Sequence, residues 1–333
     1  MLCNPSQPLS ALPLVRPDRD AADSNMISVE RRNLSDVEAA QYFAAFWQVH
    51  SYLYGKGHLD RAAWLLSSAH EYANSWLYVS RNSASWFMDR SPLLTDQEFT
   101  QCVRSTLLVS PFGQGPDDTR CLCNLMDSTL PVHNPHKEMY HHMDCAAARC
   151  FRMYRHQEVC NALSSYVRKR IPDVAVMATP SLHSCKPGVK SIIPDLLITP
   201  TLRSGKYIDV TISNPAAKAY CRPTNRSQSS ALIMNSTNVF REEEKKKKYS
   251  DTIPNIVATN MFVPFAVEAT GRLGPRALDY LFELFPKDTR GFSKAVPLIK
   301  QISTIVSRHN ARASLYVSKG LKRRTTTDVE ALW

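Results

Sequence analysis

Two aspartates offer the most informative chemistry in this sequence. Asp195 follows Pro194, and Asp209 comes after thirteen intervening residues, inside the apolar run Lys206–Ile212. A strand advances about 3.3 Å per residue, so a hairpin that turns at Gly205 would return Asp209 to the side of Asp195. Paired carboxylates can hold Mg²⁺ or Mn²⁺ together with a substrate phosphate. The spacing therefore predicts metal-assisted hydrolysis of a phosphodiester bond.

Such a reaction also needs a cation near the attacked phosphate. Many metal nucleases place a lysine two residues after the second acid, but this position is Thr211 here. The run Glu242–Tyr249 supplies four lysines, of which Lys245 and Lys248 are three residues apart and would share a face of a helix. A block of Glu followed by Lys is also typical of a solvated helix face, and both interpretations stay open.

Further polar candidates flank these residues. Arg155 and His156 lie at the start of a predicted helix, where His156 could contact phosphate or the metal shell, or could be structural. Glu158 on the same helix and Glu268 on a later strand are lesser acidic candidates. Glu268 has the alternative of pairing with a nearby arginine.

A second cluster has the composition of a zinc site. Cys121-x-Cys123 is followed, after seventeen residues, by His141-His142-x-x-Cys145. Structural zinc takes four sulfur or imidazole ligands, usually from two short pairs separated by a loop. Either His141 or His142 could be the third ligand. Further candidate ligands are His133, His136 and Cys150. The competing interpretation is a set of reduced core cysteines beside exposed loop histidines.

The charge distribution suggests the partner. The net charge of +11 divides into +15 for residues 151–333 and −4 for residues 1–150. A basic half that also holds the paired acids predicts a polyanionic partner such as DNA, or RNA, bound through its phosphates. A solvated basic surface is the alternative. No apolar run is long enough for a membrane span, and nine clustered cysteines argue against a secreted disulfide framework.

The surrounding segments indicate the organisation of the chain. Residues 1–30 have the composition of a disordered leader, and residues 31–110 form a predicted helical region with a capping box at Thr95 and Glu98. Residues 111–150 hold the Cys/His segment. Residues 311–333 form a basic tail whose Lys319–Arg324 run could be a nuclear import signal, a phosphate clamp or a disordered end. The first of these would make the protein nuclear.

Residues 151–310 should form the domain that positions the acids. Periodicity predicts helices at about 155–169, 239–249 and 294–308 and one opening at Gly274, with strands at 174–178, 189–199, 206–213 and 262–269 and a loop over 214–238. This order predicts an α/β fold, a small mixed β-sheet flanked by helices, preceded by a helical region and a zinc-knuckle-like segment.

In this order, the motifs resemble a known family. The Cys/His knuckle, Arg155-His156, Pro194-Asp195, Asp209 and Lys245-x-x-Lys248-Tyr249 are similar to the restriction-like endonuclease region at the C-terminus of site-specific non-LTR retrotransposon reverse-transcriptase proteins. The resemblance covers roughly residues 60–310 and includes the flanking Phe262–Gly274 segment. The sequence contains no Tyr-x-Asp-Asp polymerase motif.

The resemblance implies a PD-(D/E)XK fold that nicks one DNA strand with Mg²⁺ or Mn²⁺. Asp195 and Asp209 would then be the metal ligands, and Lys245 or Lys248 the catalytic lysine. Nucleic acid would be contacted by Arg155, His156, Lys246, Lys247 and Tyr249, the last with helix packing as its alternative role. Cys121, Cys123, His141 and Cys145 would bind a structural Zn²⁺, with His142 as the alternative histidine.

Three features depart from the family pattern. The Cys-x-Cys pair is one residue shorter than usual, Thr211 replaces the usual lysine, and the long segment 214–238 precedes the lysine helix. Two further functions therefore stay open beside the DNA endonuclease. One is a nucleic-acid-binding relic that has lost turnover, and the other is an RNA endonuclease like the cap-snatching viral enzymes, which use similar acid constellations.

Overall fold

The computed structural model describes residues 36–69, 73, 94–110, 112, 120–126, 129, 132–182, 191–201, 204–222, 229–287 and 293–325. Over these ranges the chain has an α/β fold with one four-stranded mixed sheet and helices on both of its faces. The strands are β1 (Ala175–Ala178), β2 (Leu196–Thr199), β3 (Lys206–Ser213) and β4 (Phe262–Glu268). The mixed sheet with flanking helices that the sequence predicts is confirmed.

The helices before the sheet comprise a helical region and the Cys/His segment. They are α1 (Asp36–Gly55), α2 (Leu59–Ser68), α3 (Asp96–Thr106), α4 (Leu122–Met126) and α5 (Arg149–Arg170). Two 3₁₀ turns, His141–Met143 and Ala146–Ala148, lead into α5. The later helices are α6 (Lys218–Cys221), α7 (Ser236–Thr252), α8 (Pro254–Ala258), α9 (Pro275–Leu284) and α10 (Ala295–Thr325).

The strands follow each other in the order β1-β2-β3-β4. The first two pairings are antiparallel, and β3 and β4 are parallel because α7 and α8 cross between them. The β2–β3 hairpin turns at Gly205, where a Cβ atom would lie 2.6 Å from Oγ1 of Thr199. Any larger residue at this position would have to displace the Thr199 side chain, so glycine suits the close approach.

Alternation along the strands separates two apolar layers. Helices α5, α9 and α10 cover one face, and that core contains the side chains of Ile208, Val210, Phe265, Val267, Leu163, Leu281 and Ile299. The opposite face packs on α7 and α8 through the side chains of Tyr249, Ile253, Ile256 and Phe262. Each fully buried side chain of this kind contributes about 1.5–3 kcal/mol to folding, so apolar packing on both faces stabilises the sheet.

The helical region docks on the sheet and on α10. Ser67 of α2 donates a hydrogen bond to Glu268 at the end of β4, with 2.5 Å between the oxygens. The side chain of Arg312 in α10 donates to Glu98 of α3 at 2.6 Å. The predicted capping box of α3 is confirmed, since the Thr95 hydroxyl accepts from the Glu98 amide and the Glu98 carboxylate accepts from the Thr95 amide.

Some elements differ in extent from the sequence prediction. Helix α5 begins at Arg149 instead of about residue 155, and α10 continues to Thr325, well past residue 308. Ala313 and Val317 are buried against Cys121, Cys123 and Cys145, and this packing supports the longer α10. The segment 214–238 contains α6 and the start of α7. The leader 1–30 and residues 326–333 lie outside the described ranges.

In the described part of the chain, no helix combines the length and the apolar character needed to cross a membrane.

Candidate functional site

Asp195 immediately precedes β2, and Asp209 lies within β3. The antiparallel pairing of β2 with β3 ends at Leu196 and Ile208, so Asp195 and Asp209 are the residues that border its last pair. The Asp195 amide donates to the Ile208 carbonyl at 2.9 Å, and Oδ2 of Asp195 accepts from the Val210 amide at 2.6 Å. The hairpin thus brings the Asp195 carboxylate beside the backbone of Val210, the residue after Asp209.

Asp209 lies on the face of the sheet that packs against α7. Its neighbours Ile208 and Val210 point into the main core, so the Asp209 side chain points to the opposite side, where it is 6 % exposed. Lys245 of α7 extends its ammonium group to Oδ1 of Asp209, at 2.7 Å. Thr211, the position where many nucleases carry the lysine, shares this face by alternation and is buried.

The two lysine candidates have different environments. Lys245 is half-buried beside Asp209, whereas Lys248 is exposed. Within the described ranges, no hydrogen bond or ion pair links Lys248 to either acid. Lys247 is exposed and pairs with Asp251 at 2.9 Å, and Lys246 is half-buried. The structure therefore places Lys245, and not Lys248, at the carboxylates.

His156 is the partner of the other acid. Its Nε2 lies 3.2 Å from Oδ2 of Asp195 and 3.2 Å from the carbonyl oxygen of Val210. Both neighbours are acceptors, so Nε2 carries a proton. The hydrogen bond to Asp195, followed by that to Cys160, raises the pKa of His156 to about 10. Each acid thus has its own cationic partner, His156 for Asp195 and Lys245 for Asp209.

Two expected nucleic-acid contacts are corrected by the structure. Arg155 is 4 % exposed, and its guanidinium donates to the side chain of Asn310 in α10. Neighbouring residues on a helix point about 100° apart, so His156 faces the sheet while Arg155 faces α10. Tyr249 is fully buried and stacks on Phe262 with ring centroids 3.9 Å apart. Neither side chain is open to a phosphate, and helix packing is the role that Tyr249 has.

The pKa of the Tyr249 phenol is affected by both acids. Burial raises the pKa of Tyr249, and the nearby charges of Asp209 and Asp195 raise it further.

The lesser acidic candidates are engaged elsewhere. Glu158 forms ion pairs with Arg308 and His309 of α10. Glu268 is 1 % exposed and accepts the hydrogen bond from Ser67, with Arg272 as a nearby positive charge. Glu158 thus joins α5 to α10, Glu268 joins α2 to the end of β4, and neither contacts Asp195 or Asp209.

The Cys/His segment forms a compact ligand set. One ligand atom from each of Cys121, Cys123, His141 and Cys145 lies within 4.8 Å of all the others. The sulfur atoms of Cys121 and Cys145 are 3.6 Å apart, and the Cys123 sulfur is 3.2 Å from Nε2 of His141. Tetrahedral zinc with bonds of about 2.3 Å to sulfur and about 2.0 Å to nitrogen separates its ligands by about 3.5–3.8 Å. The group could hold a metal ion, and its geometry is compatible with zinc.

The pKa values of the Cys121 and Cys145 thiols are also consistent with a metal site. The hydrogen bond between the two thiols lowers the pKa of Cys145 and, together with burial, raises the pKa of Cys121. His141 lowers the pKa of Cys145 further. Metals bind the thiolate form of cysteine, and Cys145 is the residue of this group whose lowered pKa favours that form.

The structure also decides between the histidines. His141 points its Nε2 at the sulfurs, whereas His142 is 1 % exposed and donates from Nδ1 to the carbonyl of Met139. Burial lowers the pKa of His142 to about 4, so this ring is neutral. His133 stacks on His141 with centroids 3.9 Å apart and bonds to Glu138 at 2.6 Å. His133 and Glu138 thus support His141 from outside the ligand set.

The remaining cysteine candidate is not part of this set. Cys150 is exposed on α5. His136 is half-buried and also lies outside the four-residue group.

Two residues near the candidate site have roles that the sequence analysis does not predict. Cys160 lies one helical turn after His156, and its sulfur is 3.9 Å from Nδ1 of that ring. Glu242 of α7 is buried at the N-terminus of α9. The i, i+4 spacing could have revealed Cys160. Helix α9 begins with Gly274-Pro275 and has no capping side chain of its own. This pattern could have indicated that an acidic side chain from another element caps the helix.

Neither a scan against protein-family models nor a search of curated proteins gives a match for this chain.

Proposed function

We propose that this chain is a divalent-metal-dependent endonuclease that nicks DNA and is related to the nuclease region of non-LTR retrotransposons. One observation carries the proposal: the Asp195 carboxylate accepts a hydrogen bond from the amide of Val210, the residue after Asp209, and the Lys245 ammonium lies 2.7 Å from Asp209. Two acids and a lysine are the groups that metal-assisted phosphodiester hydrolysis requires. Lys245 takes the place of the lysine that is missing at Thr211.

The fold is consistent with this proposal. The sheet is mixed and covered by helices on both faces, as the resemblance to PD-(D/E)XK nucleases implies. Asp195 lies at the start of β2 and Asp209 within β3. The rigid hairpin can therefore present both carboxylates without a conformational search, which favours a preorganised site.

In the proposed mechanism, Asp195 and Asp209 hold Mg²⁺ or Mn²⁺. When bound, the ion would polarise a non-bridging phosphate oxygen and lower the pKa of a water molecule. Lys245 orients that water or neutralises the charge that develops on the phosphate. His156 donates a hydrogen bond to Asp195 and holds this carboxylate in place. Exposed lysines on α7, including Lys247 and Lys248, supply positive charge for the phosphate backbone.

The Cys/His group belongs to the same proposal as a zinc knuckle. It packs on α10 through Ala313 and Val317, and α5 begins four residues after Cys145. Zinc would thus stabilise the segment that leads directly into the helix carrying His156. We propose that this segment assists binding of nucleic acid and that the protein acts in the nucleus.

The test is cleavage of supercoiled plasmid in the presence of Mg²⁺ or Mn²⁺. Wild-type protein should produce nicked circles, and Asp195→Asn and Asp209→Asn should each reduce the rate by about 10²-fold or more while leaving DNA binding largely intact. Asp251→Asn is the matched control, because Asp251 is an exposed acid that pairs with Lys247. Equal cleavage by wild type and both site variants would refute the proposal.

The same assay separates the alternatives. Wild-type protein that binds DNA but never cuts it would be the relic, and calorimetry would then show no Mn²⁺ binding that depends on Asp195. Preferential cleavage of single-stranded RNA over duplex DNA would identify an RNA endonuclease.

A further inference from the structure

Glu242 stands apart from the other charged residues of its run. Glu243 and Glu244 on the same helix are exposed, but Glu242 is only 2 % exposed. Its carboxylate oxygens lie 3.2 and 3.4 Å from the backbone amide nitrogen of Arg276, in the first turn of α9. A solvated helix face would leave this side chain in water. Its burial therefore requires a structural explanation.

The contact replaces the missing cap of α9. The N-cap residue is Gly274, which has no side chain, and Pro275 has no amide hydrogen. Arg276 therefore carries the first free N–H of the helix, and Glu242 accepts from it. A Cβ at Gly274 would lie 2.1 Å from Oε1 of Glu242, so glycine leaves the space for the carboxylate. Helix α7 is thereby joined to the N-terminus of α9 by a buried cap.

The same helix carries the proposed catalytic lysine one turn later. Lys245 follows Glu242 by three residues, and residues three apart lie on the same side of a helix. Rotation or sliding of α7 would move both side chains together. A lysine has a long flexible stem, so the distance from its ammonium to Asp209 depends on where its backbone is held.

We propose that Glu242 is a positioning residue for Lys245: by capping α9, it fixes α7 so that the Lys245 ammonium stays on Asp209. The inference rests on the proposed function for its catalytic consequence. Its structural consequence, the protection of the Lys245 ammonium, can be measured whether or not the protein cleaves nucleic acid.

The first experiment is lysine footprinting by acetylation with mass-spectrometric detection. In the wild type, Lys245 should react slowly because it is half-buried and paired, and the exposed Lys248 should react fast. Glu242→Ala should accelerate acetylation of Lys245 severalfold without changing Lys248. Glu242→Gln keeps an acceptor oxygen and should restore slow labelling. Glu243→Ala is the matched control, since Glu243 is exposed and contacts the Arg276 side chain at 2.6 Å.

The substitution Gly274→Ala disturbs the same contact between Glu242 and α9 from the α9 side. The added methyl group would displace the Glu242 carboxylate, so Lys245 should again be labelled faster. If Glu242→Ala fails to fold, this variant provides the measurement. Unchanged labelling of Lys245 in whichever folded variant breaks the cap would overturn the proposal.

The second experiment uses single-turnover nicking. Glu242→Ala should lower the rate by about 10- to 100-fold, because a displacement of about 1 Å is enough for such a loss, and should leave DNA affinity unchanged. Combined with Lys245→Met, it should cause no further loss, since both changes remove the same group. A further loss in the double variant would mean that Glu242 acts through something other than Lys245. If wild-type protein does not cleave at all, the proposed function fails, and the footprint alone decides the role of Glu242.

Discussion

The buried carboxylate of Glu242 predicts an unusual dependence of stability on pH. Burial raises the pKa of Glu242 from 4.5 to about 7, even though the amides of Arg276 and Ala277 and the charge of Arg276 favour the ionised form. Asp279 on α9 acts in the same direction as burial. Replacement by glutamine keeps the size of the side chain and an acceptor oxygen but removes the ionisation.

The sign follows from the protons bound in each state. Between pH 4.5 and about 7 the folded protein keeps the Glu242 proton, whereas the unfolded chain has lost it. The free energy of unfolding therefore falls as pH rises through this window. The difference between the two pKa values corresponds to about 3 kcal/mol, taken as an upper limit. Glu242→Gln lacks this contribution, so its stability should fall less over the same range.

Urea unfolding followed by circular dichroism measures this difference. Wild type and Glu242→Gln are compared at several values between about pH 5 and about pH 8, with zinc held constant, and their free energies of unfolding are subtracted at each pH. All other titrating groups are common to the two proteins and cancel. The wild type should lose up to about 3 kcal/mol relative to the variant. Parallel curves would refute the assignment of a buried, proton-retaining Glu242.

Three further predictions concern the metal group, the lysines and Arg155. Cys145→Ser should lower the zinc content measured by atomic emission to below one equivalent, while Cys150→Ser, which changes an exposed thiol, should retain it. Lys245→Met leaves Asp209 buried without its partner and should cost about 1–3 kcal/mol in urea unfolding. Lys248→Met should change stability by less than about 0.5 kcal/mol, and similar costs for both would contradict the placement of Lys245. Arg155→Met should destabilise by about 1–3 kcal/mol while DNA affinity, measured by anisotropy, stays constant; a selective loss of affinity would restore Arg155 as a phosphate contact.

Local signals in the sequence were sufficient to predict the capping box and the β2–β3 hairpin. The capping box at Thr95 and Glu98 depends on residues three apart, and the β2–β3 hairpin depends on two short apolar runs and the turn at Gly205. Both features are decided by residues that are close together in the sequence, where periodicity and turn chemistry act directly. The approach of Asp195 to the backbone of Val210 follows from the hairpin alone.

Tertiary packing decided which side chain does what within those elements. Lys245 and Lys248 are equivalent by spacing, and only the docking of α7 on β3 and β4 turns Lys245 towards Asp209. The burial of Arg155 depends on α10, about 150 residues away in the chain. Glu242 belongs to a charged run whose composition is typical of a solvated helix face. It is buried because it caps the start of α9, which has no capping side chain of its own.

The choice of His141 over His142 follows the same rule. Adjacent residues in a turn point in different directions, and the orientation that meets Cys123 is set by the whole fold of the segment. The sequence by itself determined which residues are available and which elements carry them. Only the tertiary structure decided which of them meet, because side-chain direction depends on contacts between elements that are distant in the chain.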